Sequence, residues 1–406
     1  LAGAVVDLVF LFGCVVAALC ALFAAFQLMA LRGLWFTPRL DALDAAPPTS
    51  WPRLSVIVAA CNEADTLEPA LRTLLAQRYP NLELVVVNDR STDATGAILD
   101  RLAATDARLV AVHIETLPAG WLGKLHAFHH AAQRATGELL LFTDADVHFE
   151  PDVLTRVVAV AQARNLDHVT IFPQMTDLTV AAESAVAAFG MQLLATSNAP
   201  GVARPDSKSA VGVGAFNLVR KTVLQRSPGF EWIKMEVADD LGLAILMRDA
   251  GARRLAVLGC GQVRVQWYRD LPSMVRGLEK NMFGVVGQYS VPRMVALLCG
   301  LLAMVVSPYL ALAHPLAAVR ALGLGTCGLM LVMSLESHRL MHIRWVPALL
   351  MHLGVLVTAY AMARSMVVVM RDGGVRWRGT HYPLNVLKQG MRAQFGTRPG
   401  VTGLHR

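Results

Sequence analysis

Two aspartates separated by one residue, Asp144-Ala-Asp146, are the side chains in this sequence best spaced to do chemistry together. On an extended segment, residues two apart point the same way, so both carboxylates can face one cation. A hard divalent ion such as Mg²⁺ or Mn²⁺ takes oxygen ligands and commonly keeps phosphate oxygens in its shell. Placed on a diphosphate, it would neutralise charge as the phosphate leaves. Three further polar clusters could serve the same ligand: Ala60-Cys-Asn-Glu-Ala64, Asn88-Asp-Arg-Ser-Thr-Asp93 and the adjacent pair Asp239-Asp240. Taken singly, each has an ordinary explanation, because Asn, Asp and Ser favour turns and helix N-caps. For Asp239 and Asp240 that explanation is capping of the helical run Leu241–Ala250, aided by the helix dipole. The chemical alternative is that two neighbouring carboxylates raise one pKa towards the range useful for a general base.

The elements that must position these residues follow from the spacing of apolar side chains. Leu54–Ala59, Leu82–Val87 and Glu138–Thr143 are short apolar runs of the kind buried in a parallel sheet, and another strand is expected at Leu109–Ile114. Helical patterns lie between them, at Leu67–Leu75, Ala94–Ala104 and Leu125–Ala135. This alternation implies right-handed crossovers and an α/β fold on a parallel sheet. Ligands of such sheets bind beyond the carboxyl ends of the strands. The clusters at 60–64, 88–93 and 144–146 each follow a strand directly, so three of them converge on one sheet edge. Loop capping accounts for any one of them but not for the set.

Composition adds a membrane to this picture. Of 406 residues, 55% are hydrophobic and only 17% charged, against about 25% charged in soluble domains. Leu8–Phe26 carries no charge and is long enough to cross a bilayer as a helix. A signal peptide competes for this segment, but Arg32 and Arg39 follow it, so an uncleaved anchor with a cytoplasmic catalytic domain is expected. The chain opens on Leu1 rather than Met, so residues upstream of it are expected. Met294–Ala313, Ala321–Leu335 and Trp345–Ala363 are further candidate spans. Leu271–Gln288 and Ala181–Leu194 suit helices lying at a lipid interface. The resulting division is 1–33 anchor, 34–52 linker, 53–270 α/β domain, 271–290 interfacial helix, 291–371 membrane helices and 372–406 basic tail. Three C-terminal crossings would leave that tail outside, against the positive-inside tendency, so either one segment is re-entrant or interfacial or the tail is an exception. The net charge of +7 comes from scattered basic residues, several beside apolar segments (Arg371, Arg376, Arg378). Attraction to anionic head groups is therefore the simpler reading, with no nucleic-acid partner. The six cysteines form no C-x-x-C pair and fit a reducing compartment.

With these residues in view, Leu54–Lys280 resembles the family 2 glycosyltransferases of the GT-A fold. The matching features are Ala59-Ala-Cys-Asn-Glu63, Asn88-Asp-Arg-Ser-Thr-Asp93, Asp144-Ala-Asp146 and Ala238-Asp-Asp240. Pro118-Ala-Gly-Trp-Leu-Gly-Lys124 and Gly374-Val-Arg-Trp-Arg-Gly379 resemble membrane-bound members that glycosylate carotenoids, hopanoids or ceramides. The resemblance implies a nucleotide-sugar site that includes Ala60, Asn62, Glu63, Asp89, Lys124 and Asp144, with Glu63 and Asp89 at the uracil and ribose of a UDP-sugar and Lys124 near the diphosphate. It makes Asp146 the main metal ligand with Asp144 beside it, and Asp240, next to Asp239, the base that deprotonates an acceptor hydroxyl. Gly212, Gly214 and Trp267 fall in the acceptor region. Two departures stand out: Asp239 where relatives often have Glu, and Val263-Arg-Val-Gln-Trp267 where processive and ceramide-type enzymes have Q/R-x-x-R-W. Gln266 in place of that arginine argues against processive polymer synthesis. The expected activity is inverting, Mg²⁺- or Mn²⁺-dependent transfer of one sugar from a UDP-sugar to a membrane lipid. The alternatives are a polyprenyl-phosphate glycosyltransferase and a non-catalytic membrane scaffold.

Overall fold

The apolar runs form the strands expected of them. The computed structural model describes residues 2–393, and in it Leu54–Ala60 (β1), Leu82–Asp89 (β2), Leu109–Ile114 (β3) and Leu139–Asp144 (β4) lie parallel in the order β3-β2-β1-β4. β1 is buried along nearly its whole length, whereas β3, at the sheet edge, mixes buried and exposed positions. Helices Leu67–Leu75, Thr95–Ala103 and Gly123–Arg134 supply the crossovers. Leu67, Leu71 and Leu74 are fully covered, and burial of each such side chain contributes about 1.5–3 kcal/mol.

After β4 come Val147–Phe149 (β5), His168–Phe172 (β6), Gln174–Met175 (β7), Asn217–Arg220 (β8), Arg254–Leu258 (β9) and Val263–Val265 (β10). The main sheet continues as β4-β8-β6-β9, and β8 runs antiparallel to both neighbours. The parallel arrangement expected of the first four strands is present, and β8 adds an antiparallel strand beyond them. Helix Val180–Ser197 precedes β8, but the chain then enters the strand from the 210–216 loop, which lies beside the end of β4, and so runs backwards along the sheet. The small sheet β5-β10-β7 sits just past Asp146 and leads into Trp267.

The flanking segments differ from the expected divisions. The first helix runs to Phe36, and the supposed linker is partly built into the domain: Leu40 and Leu43 are buried and the Leu258 amide donates to Pro38 O. The expected single interfacial helix at 271–290 is two short ones, Leu271–Glu279 and Met282–Val285, broken at Lys280-Asn281. The basic tail is not free at its start: Gly374–Trp377 (β11) and Thr380–Pro383 (β12) form a hairpin, and Leu384–Gly390 is a short helix, with Val375, Tyr382 and Leu387 buried. Its last residues, 394–406, lie outside the described residues.

Five described helices are long and apolar enough to cross a membrane: Asp7–Phe36, Val180–Gly201, Val291–Leu312, Ala317–Met341 and Trp345–Arg371. The first runs parallel to 317–341, with Cys20 Sγ 3.1 Å from Thr326 Oγ1 and Trp35 Nε1 donating to Glu336 over 3.0 Å. Helix 291–312 returns alongside, closing on Gly323 through Pro308 and Ala311. Helix 345–371 behaves differently, because both of its ends are tied to the α/β domain. Arg344 donates to Glu183 and to Leu178 O at one end; at the other, Arg364 pairs with Glu279 and the Ser365 hydroxyl donates to Glu279 O.

Candidate active site

Sheet geometry alone brings the three strand-end clusters to one edge, where they line a cavity of about 190 Å³. Ala60 ends β1 and Glu63 lies in the turn after it, Asp89 and Arg90 come from the end of β2, and Asp144 and Asp146 from the end of β4. Lys124 enters from the first turn of helix 123–134. Its Nζ lies 2.6 Å from Asp144 and 2.7 Å from Asp239, so one ammonium ties the end of β4 to the first turn of helix 239–249. Burial disfavours that charge, but the two carboxylates outweigh it and hold Lys124 above the ordinary lysine range.

Asp146 has no such partner among the described residues. Burial, with the nearby charges of Asp144 and Glu63, pushes its carboxyl up to about 7. A half-buried carboxylate beside others is a surplus of negative charge that a bound cation would relieve. Among the described residues no three His, Cys, Asp or Glu side chains converge as a ready-made metal cage. A divalent ion here would have Asp144 and Asp146 as its protein ligands and would take its remaining positions from phosphate oxygens and water, the pattern Mg²⁺ favours.

Asp239 and Asp240 divide their work. Asp239 engages Lys124, whereas Asp240 accepts from the Gly214 amide (3.0 Å) and from the Leu241 amide (2.8 Å). Burial and then Asp239 push the Asp240 carboxyl up to about 7, with Lys124 opposing. Neither aspartate is the N-cap of helix 239–249; that place is taken by Ala238. The 212–214 loop explains how Asp240 and Asp144 come together. A Cβ on Gly212 would collide with the Asp240 carbonyl, and one on Gly214 would sit 2.6 Å from an Asp144 carboxylate oxygen. Both glycines are therefore required by close approach to the acid cluster.

Three of the other sequence-selected residues have defined places. Asp89 is buried and holds the Arg90 guanidinium through two bonds of 2.8 and 2.9 Å. Asn62 is not among the cavity-lining residues: in a left-handed conformation (φ 55°), its side chain accepts from the Thr92 amide (2.8 Å) and clasps the turns after β1 and β2. Trp267 lies outside the cavity, 4.5 Å from the Tyr268 ring and 5.5 Å from Phe189 on helix 180–197 (centroid distances). Gln266 turns away and donates to Asp177 O. Tyr268 feels the acid cluster directly, its hydroxyl raised by burial and by Asp144 and Asp146.

Residues 55–226 match the family model described as Glycosyl transferase family 2. They are a family 2 glycosyl transferase domain. The chain resembles a succinoglycan biosynthesis protein of Rhizobium meliloti (34% identity over 112 residues, 28% of this chain and 30% of that protein). It also resembles a beta-monoglucosyldiacylglycerol synthase of Synechocystis (32% over 148 residues, 34% and 29%). It spans less than half the length of the curated relatives it matches. Among solved structures, a mannosyltransferase from Pyrobaculum calidifontis in complex with GDP-Man and Mn²⁺ superposes with a TM-score of 0.52 at 22% identity, covering 86% of this chain and 99% of that one. That likeness shows the fold, which is the α/β nucleotide-sugar-transferase architecture expected from the motifs.

What the motifs did not reveal is the far wall of the cavity. Lys280, Trp377, Arg378 and Tyr382 line it alongside the acid cluster. Arg378 pairs with Glu63, and Lys280 Nζ lies 3.6 Å from the centroid of the Trp377 ring. Arg378 was assigned to a lipid-binding basic tail; the hairpin instead carries it into the site, where Glu63 supplies the opposite charge. The Trp-Arg-Gly sequence of the hairpin was the available signal, read as a family mark without a location.

Proposed function

We propose that the protein transfers one sugar from a UDP-sugar to a hydroxyl of a membrane lipid, with inversion and with Mg²⁺ or Mn²⁺. The observation that carries this reading is the cavity itself: a half-buried Asp146 without an ion-pair partner among the described residues, beside Asp144, with Asp240 held 3.0 Å from the Gly214 amide next to them. Asp144 and Asp146 would hold the divalent ion, which supplies charge neutralisation to the departing diphosphate. Asp240 takes the proton from the acceptor hydroxyl as its oxygen bonds to the anomeric carbon. The bond from that carbon to the diphosphate breaks on the opposite face, and its electron pair leaves with UDP. No carboxylic acid is needed to protonate the leaving group, because a diphosphate departs as a stable anion. Trp267, Tyr268 and Phe189 form an aromatic path from helix 180–197 towards the acid cluster, suited to an amphiphilic acceptor. The relative that acts in monoglucosyldiacylglycerol synthesis supports a lipid acceptor.

The bilayer arrangement belongs to the same reading. Helices 7–36, 291–312 and 317–341 cross, and their exposed Leu8, Phe10, Leu11, Leu302, Leu324 and Leu331 face lipid. Helix 345–371, tied to the domain at both ends, lies along the membrane surface on the catalytic side. The tail then stays with the catalytic domain in the cytoplasm, in accord with the positive-inside tendency. A reporter fused after Arg406 is expected to be active only in its cytoplasmic form; an external signal would refute this arrangement. The activity is tested with full-length protein in detergent, presented with a panel of UDP-sugars. Mn²⁺-stimulated UDP release that rises on adding lipid extract is expected, and no release from any donor would refute the reading.

A further inference from the structure

We infer that Lys280 binds the diphosphate of the nucleotide-sugar donor, and that Trp377 of the C-terminal hairpin positions it. This rests on the reading of the cavity as the donor site. The cavity has four lining cations, and three of them are already matched: Lys124 by Asp144 and Asp239, Arg90 by Asp89, and Arg378 by Glu63. Lys280 alone among these four forms no ion pair and donates no hydrogen bond to the described residues. An ammonium has three donor directions, and the Trp377 face 3.6 Å below it satisfies charge without accepting a directed bond. The position is deliberate in the chain's geometry. The break between helices 271–279 and 282–285 places Lys280 at the end of a turn, and the β11–β12 hairpin brings Trp377 beneath it from almost a hundred residues further on. Burial pushes the ammonium down to about 8, as expected of a cation lacking its anion. A nucleoside diphosphate supplies that anion.

The consequence is that the donor site is incomplete within the family 2 domain, whose match ends at residue 226. The wall that follows it, from the 271–285 helices and the hairpin after helix 345–371, contributes the phosphate contact. A lipid phosphate would offer the same oxygens, so the test separates the two sources. Full-length protein in lipid-free detergent is titrated with UDP plus Mn²⁺ and, separately, with uridine. Loss of one charge-assisted contact should weaken UDP binding by about 10- to 100-fold in Lys280→Met, with Lys280→Arg losing less and uridine affinity unchanged. Trp377→Leu should weaken UDP but not uridine, and Trp377→Phe should restore much of it, which a merely structural role would not produce. Lys280→Gln serves if Lys280→Met fails to fold. Wild-type binding of UDP with unchanged affinity in a folded Lys280 variant would overturn the inference alone. Unchanged UDP affinity with lost binding to anionic-lipid vesicles would do so too, moving the contact to lipid phosphate. Failure of the wild type to bind UDP would overturn the donor reading itself, and the inference with it.

Discussion

Asp146→Ala is expected to reduce sugar transfer by at least about 10²–10³-fold, the scale seen when one preorganised electrostatic contact to a transition state is removed, and to abolish the Mn²⁺ dependence of UDP binding. The reason is electrostatic. Asp146 sits where burial, Asp144 and Glu63 all disfavour its charge, and it has no cation of its own. Such a group is poorly placed as a structural ion-pair member and well placed as a ligand. The substitution should not damage the fold. A carboxyl whose folded pKa is about 7, against an ordinary value of 3.8, binds its proton more tightly in the folded state. It therefore contributes stability at pH below about 4 that is lost as pH rises through about 7. Metal-free Asp146→Ala should accordingly lose less thermal stability than the wild type between these limits. Measurement of kcat, of UDP affinity with and without Mn²⁺, and of melting against pH decides the matter; full activity in the variant would remove Asp146 from the site.

Asp240→Asn should lower kcat by about 10²–10⁴-fold, the usual contribution of a positioned general base, while leaving UDP affinity nearly unchanged. The carboxylate must be ionised to accept a proton. With its pKa pushed up to about 7, the wild-type rate should rise with pH to that point and flatten above it. The variant should lose that inflection. Asparagine keeps the shape of the side chain but offers one acceptor oxygen to the Gly214 and Leu241 amides where the aspartate offers two, so a small stability loss is also expected. Retained turnover in Asp240→Asn together with loss in Asp146→Ala would point to a phosphate acceptor, which needs little base catalysis, and would favour the polyprenyl-phosphate alternative.

Asp239 and Asp240 show how far residue spacing carries and where it stops. As neighbours in sequence they look equivalent, and either could cap helix 239–249. In the fold they are separated by what faces them: Lys124 takes Asp239, and the glycine loop takes Asp240. Asn62 shows a different limit: its side chain stitches two turns together, a contact that its place in the motif did not reveal. Strand β8 marks a third limit, because its direction depends on where the 210–216 loop delivers it, and no local pattern records that.

The sequence by itself determined that the chain has an α/β sheet whose β1, β2 and β4 strands lead into acidic or polar clusters, and that apolar helices flank it. It could do so because strand and helix periodicity are local properties, and parallel strands necessarily present their carboxyl ends at one edge. Only the tertiary structure decided which charge meets which. Lys280, Trp377 and Arg378 reach the cavity from segments far down the chain, through a helix break and a hairpin packed back on the domain. Contacts of that kind depend on long-range packing and charge pairing, so they leave no period or spacing in the sequence to be read.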